Sequence, residues 1–141
     1  MIESIIDSGL QKSYRETEYK VLGDEPLTLK VGETCAPLAA LYKRHRVDCS
    51  AFITACNPFG EDVGIAVNAE RHADLGRELG QRRLASIEGL GEHPTNGWPG
   101  EASYLVFGLN LQAAKTLGMR LEQNAIVWTG ADTVLQLVLL R

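Results

Sequence analysis

The chain has 141 residues, of which 45% are apolar and 23% charged, with a formal net charge of −4. Such a length suits one ordinary domain, and that balance excludes a disordered segment. The acidic excess disfavours a broad nucleic-acid surface, and the longest apolar runs, such as TVLQLVLL at 133–140, are too short to span a bilayer.

Taken in chain order, Ile2, Ile5, Ile6 and Leu10 recur at helical spacing and predict a first amphipathic helix over 2–13. EYKVL (18–22) and LTLKV (27–31) alternate around the turn residues GDEP, which predicts a hairpin. Pro37 suits the opening of a second helix, with Leu38, Leu41, Tyr42 and His45 as its stripe. Residues 50–56 form a third strand, apolar on both faces and therefore covered on both sides; Asn57 and Pro58 then turn the chain. A third helix is expected over 69–82, with Asn68 as its N-cap and Asn68, His72, Leu75 and Leu79 on one stripe. LASIEGL (84–90) predicts a fourth strand and GLGEHPTNGWPG (89–100) a long loop of the kind that often carries function. ASYLVFGL (102–109) reads as a buried fifth strand. Asn110 caps a short helix that Gly118 closes, and NAIVW and TVLQLVLL supply the last two strands. The pattern defines an α+β fold: a single domain over 1–141, with a mixed sheet of six to seven strands and four helices packed on it.

Strand direction locates the candidate site. Two strands joined through a helix run the same way, so strands three and four share a direction, as do strands five and six. The end of strand three then meets the end of strand four and the starts of strands five and six. Asn57, Glu101, Ser103, Gln123 and Asn124 converge at that edge beside the Gly/Pro-rich loop. Glu101 is the candidate catalytic acid or base, since partial burial raises a carboxyl toward neutral pH; its bland alternative is a rim carboxylate paired with an arginine. Asn57, Asn68, Ser103, Gln123 and Asn124 are the candidate ligand-binding residues. Capping alone accounts for Asn68, and turn chemistry for Asn57. Gln123 and Asn124, adjacent on a strand, would point to opposite faces. His72 reads as a satisfied core histidine, and Trp98 as a core plug whose N–H finds a carbonyl.

Cys35, Cys49 and Cys56 contain no C-x-x-C pair and read as reduced thiols. Cys56 could act as a nucleophile with His45, His72 or His93, but a buried thiol is the simpler assignment. The histidines are scattered, so no metal is expected. No phosphate loop or dinucleotide fingerprint appears, and no cofactor is expected. The start MIESIIDSGL carries early acids and no basic region, so a cytoplasmic protein with no membrane association is expected. The leading function is a small-molecule site for a small polar ligand, with Glu101 as acid, base or acceptor. Its alternative is a non-catalytic protein-interaction module in which the amides are structural. Nucleic-acid binding through Lys43, Arg44, Arg46, Arg82 and Arg83 ranks third, because helix-end capping accounts for both clusters. Whether the chain is an enzyme, and its oligomeric state, stay open.

ETEY (16–19), AFITACNP (51–58), Asn68, WPGEASYLV (98–106) and LEQNAIVW (121–128) together resemble a bacterial family known as domain of unknown function 3293. The resemblance spans nearly the whole chain, and the family has no assigned activity. Its pattern falls here on Thr17, Tyr19, Thr54, Asn57, Pro58, Asn68, Glu101, Ser103, Gln123 and Asn124. An aromatic residue is common in the family where this chain has Cys56, which argues against a family-wide cysteine nucleophile.

Overall fold

The computed structural model describes residues 4–141, so Ile2 of the expected first helix lies outside it. Four helices, α1 (Ser8–Glu16), α2 (Ala36–His45), α3 (Ile65–Gln81) and α4 (Leu111–Arg120), accompany seven strands. These are β1 (Glu18–Val21), β2 (Leu27–Leu29), β3 (Ser50–Thr54), β4 (Ser86–Glu92), β5 (Glu101–Phe107), β6 (Ala125–Thr129) and β7 (Leu135–Leu139). The seven strands form one sheet in the order β2-β1-β4-β5-β3-β6-β7. The α+β class is as the sequence predicts, but the sheet is antiparallel throughout rather than mixed. The shared directions of β3 with β4 and of β5 with β6 do hold. The crossovers through α3 and α4 each skip one position, however. β5 slips between β3 and β4, and β3 lies between β5 and β6, so every parallel pair is separated by an opposed strand.

Continuous apolar character in β3 follows from its central place, since the sheet divides the core in two. On one face Leu38, Leu41 and Tyr42 of α2 pack on Val21, Leu29, Leu105, Phe107, Val127 and Leu135. On the other face Leu75 and Leu79 of α3 and Ala114 and Leu117 of α4 meet Ala51, Ile53, Val106 and Ile126. The α2 helix covers only one end of its face. It is tied there by the Tyr42 hydroxyl, which is 3.0 Å from Ser50 Oγ and donates to the Thr129 carbonyl at 3.0 Å. The opposite end, where β3 finishes and β5 and β6 begin, is left for the site described below.

Three helix boundaries differ from expectation. The first helix starts only at Ser8, because the Asp7 carboxylate caps it by accepting from the amides of Gly9 and Leu10. Ile5 therefore precedes the helix and is exposed. The third helix begins at Ile65, with Gly64 at its N-cap, so Asn68 sits inside the first turns and caps nothing. The fourth is capped by Asn110, which accepts from the Ala113 amide at 2.9 Å, but Gly118 does not close it. Gly118 is buried mid-helix, where a Cβ would come within 2.7 Å of Leu140 and 2.8 Å of Ile126; it is the small residue that lets α4 lie on the sheet.

Gly89 is the tightest such position in the sheet. A Cβ there would come within 2.7 Å of both the Lys20 carbonyl oxygen and the Phe52 ring. Gly89→Ala is expected to lower stability in urea denaturation by about 1–3 kcal/mol, the usual cost of overpacking, because one of the two contacts is backbone and does not yield. An unchanged midpoint would show that β4 lies farther from β1 and β3 than described.

Candidate functional site

The uncovered end of the α2-side face holds a cavity of about 360 Å³, at the small end of ligand pockets. Its floor is Phe52 and Thr54 of β3, Glu101 and Ser103 of β5, Tyr19 of β1 and Val127 of β6. Leu10, Ser13 and Tyr14 of α1 wall one side, and the segment 93–99 brings His93, Asn96 and Trp98 to another. Phe59 of the 3-10 turn Pro58–Gly60 completes the rim. Phe59 and Trp98 are 45% and 46% exposed, so Trp98 is a rim residue and not the expected core plug. The indole that does bond a carbonyl is Trp128, to Leu109 at 3.0 Å.

The turn after β3 organises the polar groups. Asn57 adopts a left-handed backbone (φ 49°), which an asparagine tolerates better than most residues. Both polar atoms of its side chain are engaged. The Nδ2 group donates to Glu101 Oε2 at 2.7 Å, while Oδ1 accepts from Asn68 Nδ2 at 2.8 Å and from the Val63 amide at 3.4 Å. Asn68 in turn accepts the Asn57 amide at 2.9 Å. Asn68 thus reaches the site through Asn57 without lining the cavity. Arg71, one turn further along α3, donates to the carbonyls of Ala55 (2.5 Å) and Leu121 (2.7 Å) and ties the two turns together.

Asn57, Glu101, Ser103, Gln123 and Asn124 all line the cavity. Gln123 and Asn124 were expected on opposite faces, but both border it because 121–124 is a turn with a left-handed Glu122 (φ 61°), not an alternating strand. Gln123 Nε2 donates to the Cys56 carbonyl at 3.0 Å. Asn124 donates to the Tyr14 hydroxyl (3.2 Å) and accepts from Arg141 (2.9 Å), whose guanidinium also lies 4.4 Å over the Phe59 ring. Ser103 Oγ donates to the Glu101 carbonyl at 2.9 Å.

Glu101 is mostly buried and has no arginine partner among the described residues, so the rim ion pair does not form. Burial pushes its carboxyl up from the ordinary value, and the Asn57 hydrogen bond pulls the other way. Its charge in turn helps push the Tyr14 and Tyr19 phenols up, after burial, which is the larger cause for both. Cys56 is no nucleophile in this setting. Its Sγ faces the Ala102 carbonyl at 3.5 Å, and burial pushes the thiol up, away from the reactive thiolate. His72 lies off the cavity, stacked on Tyr104 at 4.3 Å and 3.1 Å from Glu88. Its buried Nδ1 has no partner, so it is not the satisfied core histidine expected.

Sequence reasoning missed Tyr14, Phe59 and Gly91, and named His93 only as a possible partner of Cys56. His93 Nδ1 accepts the amides of Thr95 and Asn96 and shapes the 93–98 turn. Gly91 sits on β4 between Tyr19 and Glu101, and a Cβ there would have only ordinary 3.9 Å contacts with Phe52, Thr17 and Tyr19. A glycine inside a strand marks close approach or open space, and that was the one available signal.

The chain belongs to the family described as protein of unknown function (DUF3293), whose model matches residues 53–126. No curated protein and no solved structure matches it. The matched span holds Thr54, Asn57, Asn68, Glu101, Ser103, Gln123 and Asn124; the α1 wall lies outside it. Among the described residues no helix is long and apolar enough to cross a membrane.

The raised carboxyl fixes a pH dependence. The folded chain keeps the Glu101 proton to higher pH than the unfolded chain, so its contribution is full below the ordinary value of 4.5 and is lost as pH rises through the folded value. Glu101→Gln keeps an acceptor for Asn57 and removes that loss. Urea denaturation across a pH series is expected to show the variant gaining on the wild type from the ordinary carboxylate range upward. Parallel curves would mean that Glu101 ionises as freely as in water.

Proposed function

We propose that the cavity binds a small molecule with a largely apolar body and a hydrogen-bond-donating group directed at Glu101. The observation that carries this reading is the division of labour in the carboxylate. Oε2 is held by Asn57, while Oε1 accepts no hydrogen bond among the described residues and is not sealed from solvent. An acceptor free of protein partners that stands in a concavity rather than a packed core is available to a donor on a bound molecule. Asn57 and Asn68 act as positioning residues, since their polar atoms are spent on each other and on Glu101. Ser103, Asn124 and Tyr14 keep hydrogen-bonding capacity facing the ligand. A group that exchanges a proton with its environment in this way suits acid–base chemistry on the bound molecule. The unpaired thiols Cys35, Cys49 and Cys56 support a reducing setting such as the bacterial cytoplasm.

One observation favours the second reading, an interaction module with structural amides. Asn57, Asn68 and Gln123 all bond protein, as structural amides do. That covers the amides and leaves the cavity and Oε1 unexplained. The basic clusters lie apart, Lys43 and Arg44 in the last turn of α2 and Arg82 at the end of α3, on opposite faces of the sheet, which does not favour a nucleic-acid surface.

Gly91→Leu separates the two readings. A Cβ at Gly91 has only ordinary contacts and the position borders the cavity, so stability is expected to hold or rise by about 0.5–2 kcal/mol, as cavity filling gives. Small-molecule thermal-shift screening is expected to find ligands for the wild type, worth about 2.7 kcal/mol at one hundred times the dissociation constant, and none of these should act on Gly91→Leu. Ligands that shift both proteins alike bind elsewhere. Asn57→Ala, by contrast, is expected to lower stability by about 1–3 kcal/mol, since it strands Asn68 and Glu101 and places alanine in a left-handed conformation.

A further inference from the structure

The cavity's charge and ring content narrow the ligand further. Five aromatic side chains, Tyr14, Tyr19, Phe52, Phe59 and Trp98, line it together with Glu101. They come from five separate segments of the chain: α1, β1, β3, the 3-10 turn and the 93–100 loop. Tyr19 and Phe52 meet edge to face at 5.3 Å and are both buried in the cavity floor. No lysine or arginine lines the cavity among the described residues. Arg141 is not in the lining and is engaged by two residues of the rim, Asn124 and the Phe59 ring.

A mostly buried carboxylate with no lysine or arginine beside it, in a cavity lined by aromatic side chains, is the chemistry that recognises an organic cation. Ring quadrupoles attract an ammonium group within about 6 Å of the centroid, and the attraction grows as water is excluded. A carboxylate adds directionality, because an N⁺–H donated to Oε1 makes a short, charge-assisted bond. An anionic ligand meets the opposite conditions: it would lie against a like charge, with no lysine or arginine in the lining and with the one lining imidazole, His93, engaged by the Thr95 and Asn96 amides and by Glu16. A neutral donor can bond Oε1 but gains nothing from the rings beyond burial.

Resting on the reading that the cavity is a ligand site, we propose that its ligand is a primary or secondary amine on an aromatic or aliphatic body, bound as the ammonium ion with its nitrogen between Glu101 Oε1 and the aromatic rings. The body fits a cavity at the small end of the ligand-pocket range, which suits a monoamine of modest size.

The test compares three probes of similar shape at neutral pH: 2-phenylethylamine, 2-phenylethanol and 3-phenylpropionate. Binding is read by thermal shift and by Trp98 fluorescence, with Trp98→Phe as the control that assigns the signal. The amine is expected to bind the wild type at least about tenfold more tightly than the alcohol, and the acid not at all. In Glu101→Gln the amine is expected to fall to the level of the alcohol while the alcohol is unchanged. If Glu101→Gln does not fold, the amine-to-alcohol ratio in the wild type decides alone. Alcohol or acid binding as tightly as the amine overturns the cation assignment and leaves the cavity reading standing. Amine binding that survives Glu101→Gln undiminished likewise overturns the assignment. If no probe binds and Gly91→Leu changes nothing in the wider small-molecule screen, both readings fall.

Discussion

The hydrogen bond from Asn57 Nδ2 to Glu101 Oε2, 2.7 Å long, is the contact on which the site depends. It joins the turn after β3 to the first residue of β5, two points 44 positions apart in the chain. An asparagine amide is suited to the task because it has two donors and an acceptor on one rigid plane. Here the acceptor is filled from α3 by Asn68 and from the following turn by Val63, so the plane cannot rotate and the donor stays aimed at the carboxylate. A lysine or arginine in its place would neutralise Glu101 and hold it ionised. The neutral amide fixes its position while leaving burial free to push its proton affinity up. Placement and charge are thereby controlled by different parts of the structure.

That contact exists only because of the strand order. Antiparallel pairing of β3 with both β5 and β6 puts the end of β3 beside the starts of its two neighbours. Three turns meet there, and two of them carry left-handed residues, at Asn57, Phe59 and Glu122. The Phe59 amide donates to the Glu122 carbonyl at 2.6 Å, so the strained turns brace each other. Left-handed conformations at non-glycine residues cost about 1–3 kcal/mol each and persist where surrounding contacts hold them. Two such residues in the cavity lining, Asn57 and the rim aromatic Phe59, braced by a third at Glu122, are easier to understand as a framework that shapes a surface than as the cheapest way to turn a chain.

Much of this was legible in the sequence. Alternation in EYKVL and LTLKV fixed the hairpin, the two-faced apolar run fixed the central strand, and Asn110 announced α4. Direction rules alone brought Asn57, Glu101 and Gln123 to one edge, even though the sheet is antiparallel and not mixed, because direction is set by the number of reversals and not by which strands end up adjacent. What failed were inferences from local pattern where a tertiary contact overrode it. Asn68 looks like a cap because amides often cap helices, yet the helix starts earlier on a bare glycine and the amide is spent on Asn57. Trp98 looks like core because large rings usually are, yet it stands at a rim. The pair Gln123–Asn124 obeys no strand alternation because Glu122 reverses its backbone just before them.

The residues with the faintest sequence signature, a glycine inside a strand, are those that leave space. Gly89 and Gly91 are two apart on one strand and so share a face, which they leave empty for opposite reasons. At Gly89 the vacancy is filled by the Phe52 ring, which could not lie where it does beside any Cβ. At Gly91 the vacancy stays open and becomes cavity floor beside Glu101. The first glycine lets the ring approach, and the second keeps the neighbouring space from being packed. A strand that needed only to pair would carry β-branched residues at both positions and gain stability from them. Local weakness in β4, accepted in the middle of a seven-stranded sheet, is therefore part of how the cavity is built. Such weakness is tolerable here because β4 is paired along its length with β5 and held by β1 on the other side, so the backbone ladder supplies what the missing side chains do not.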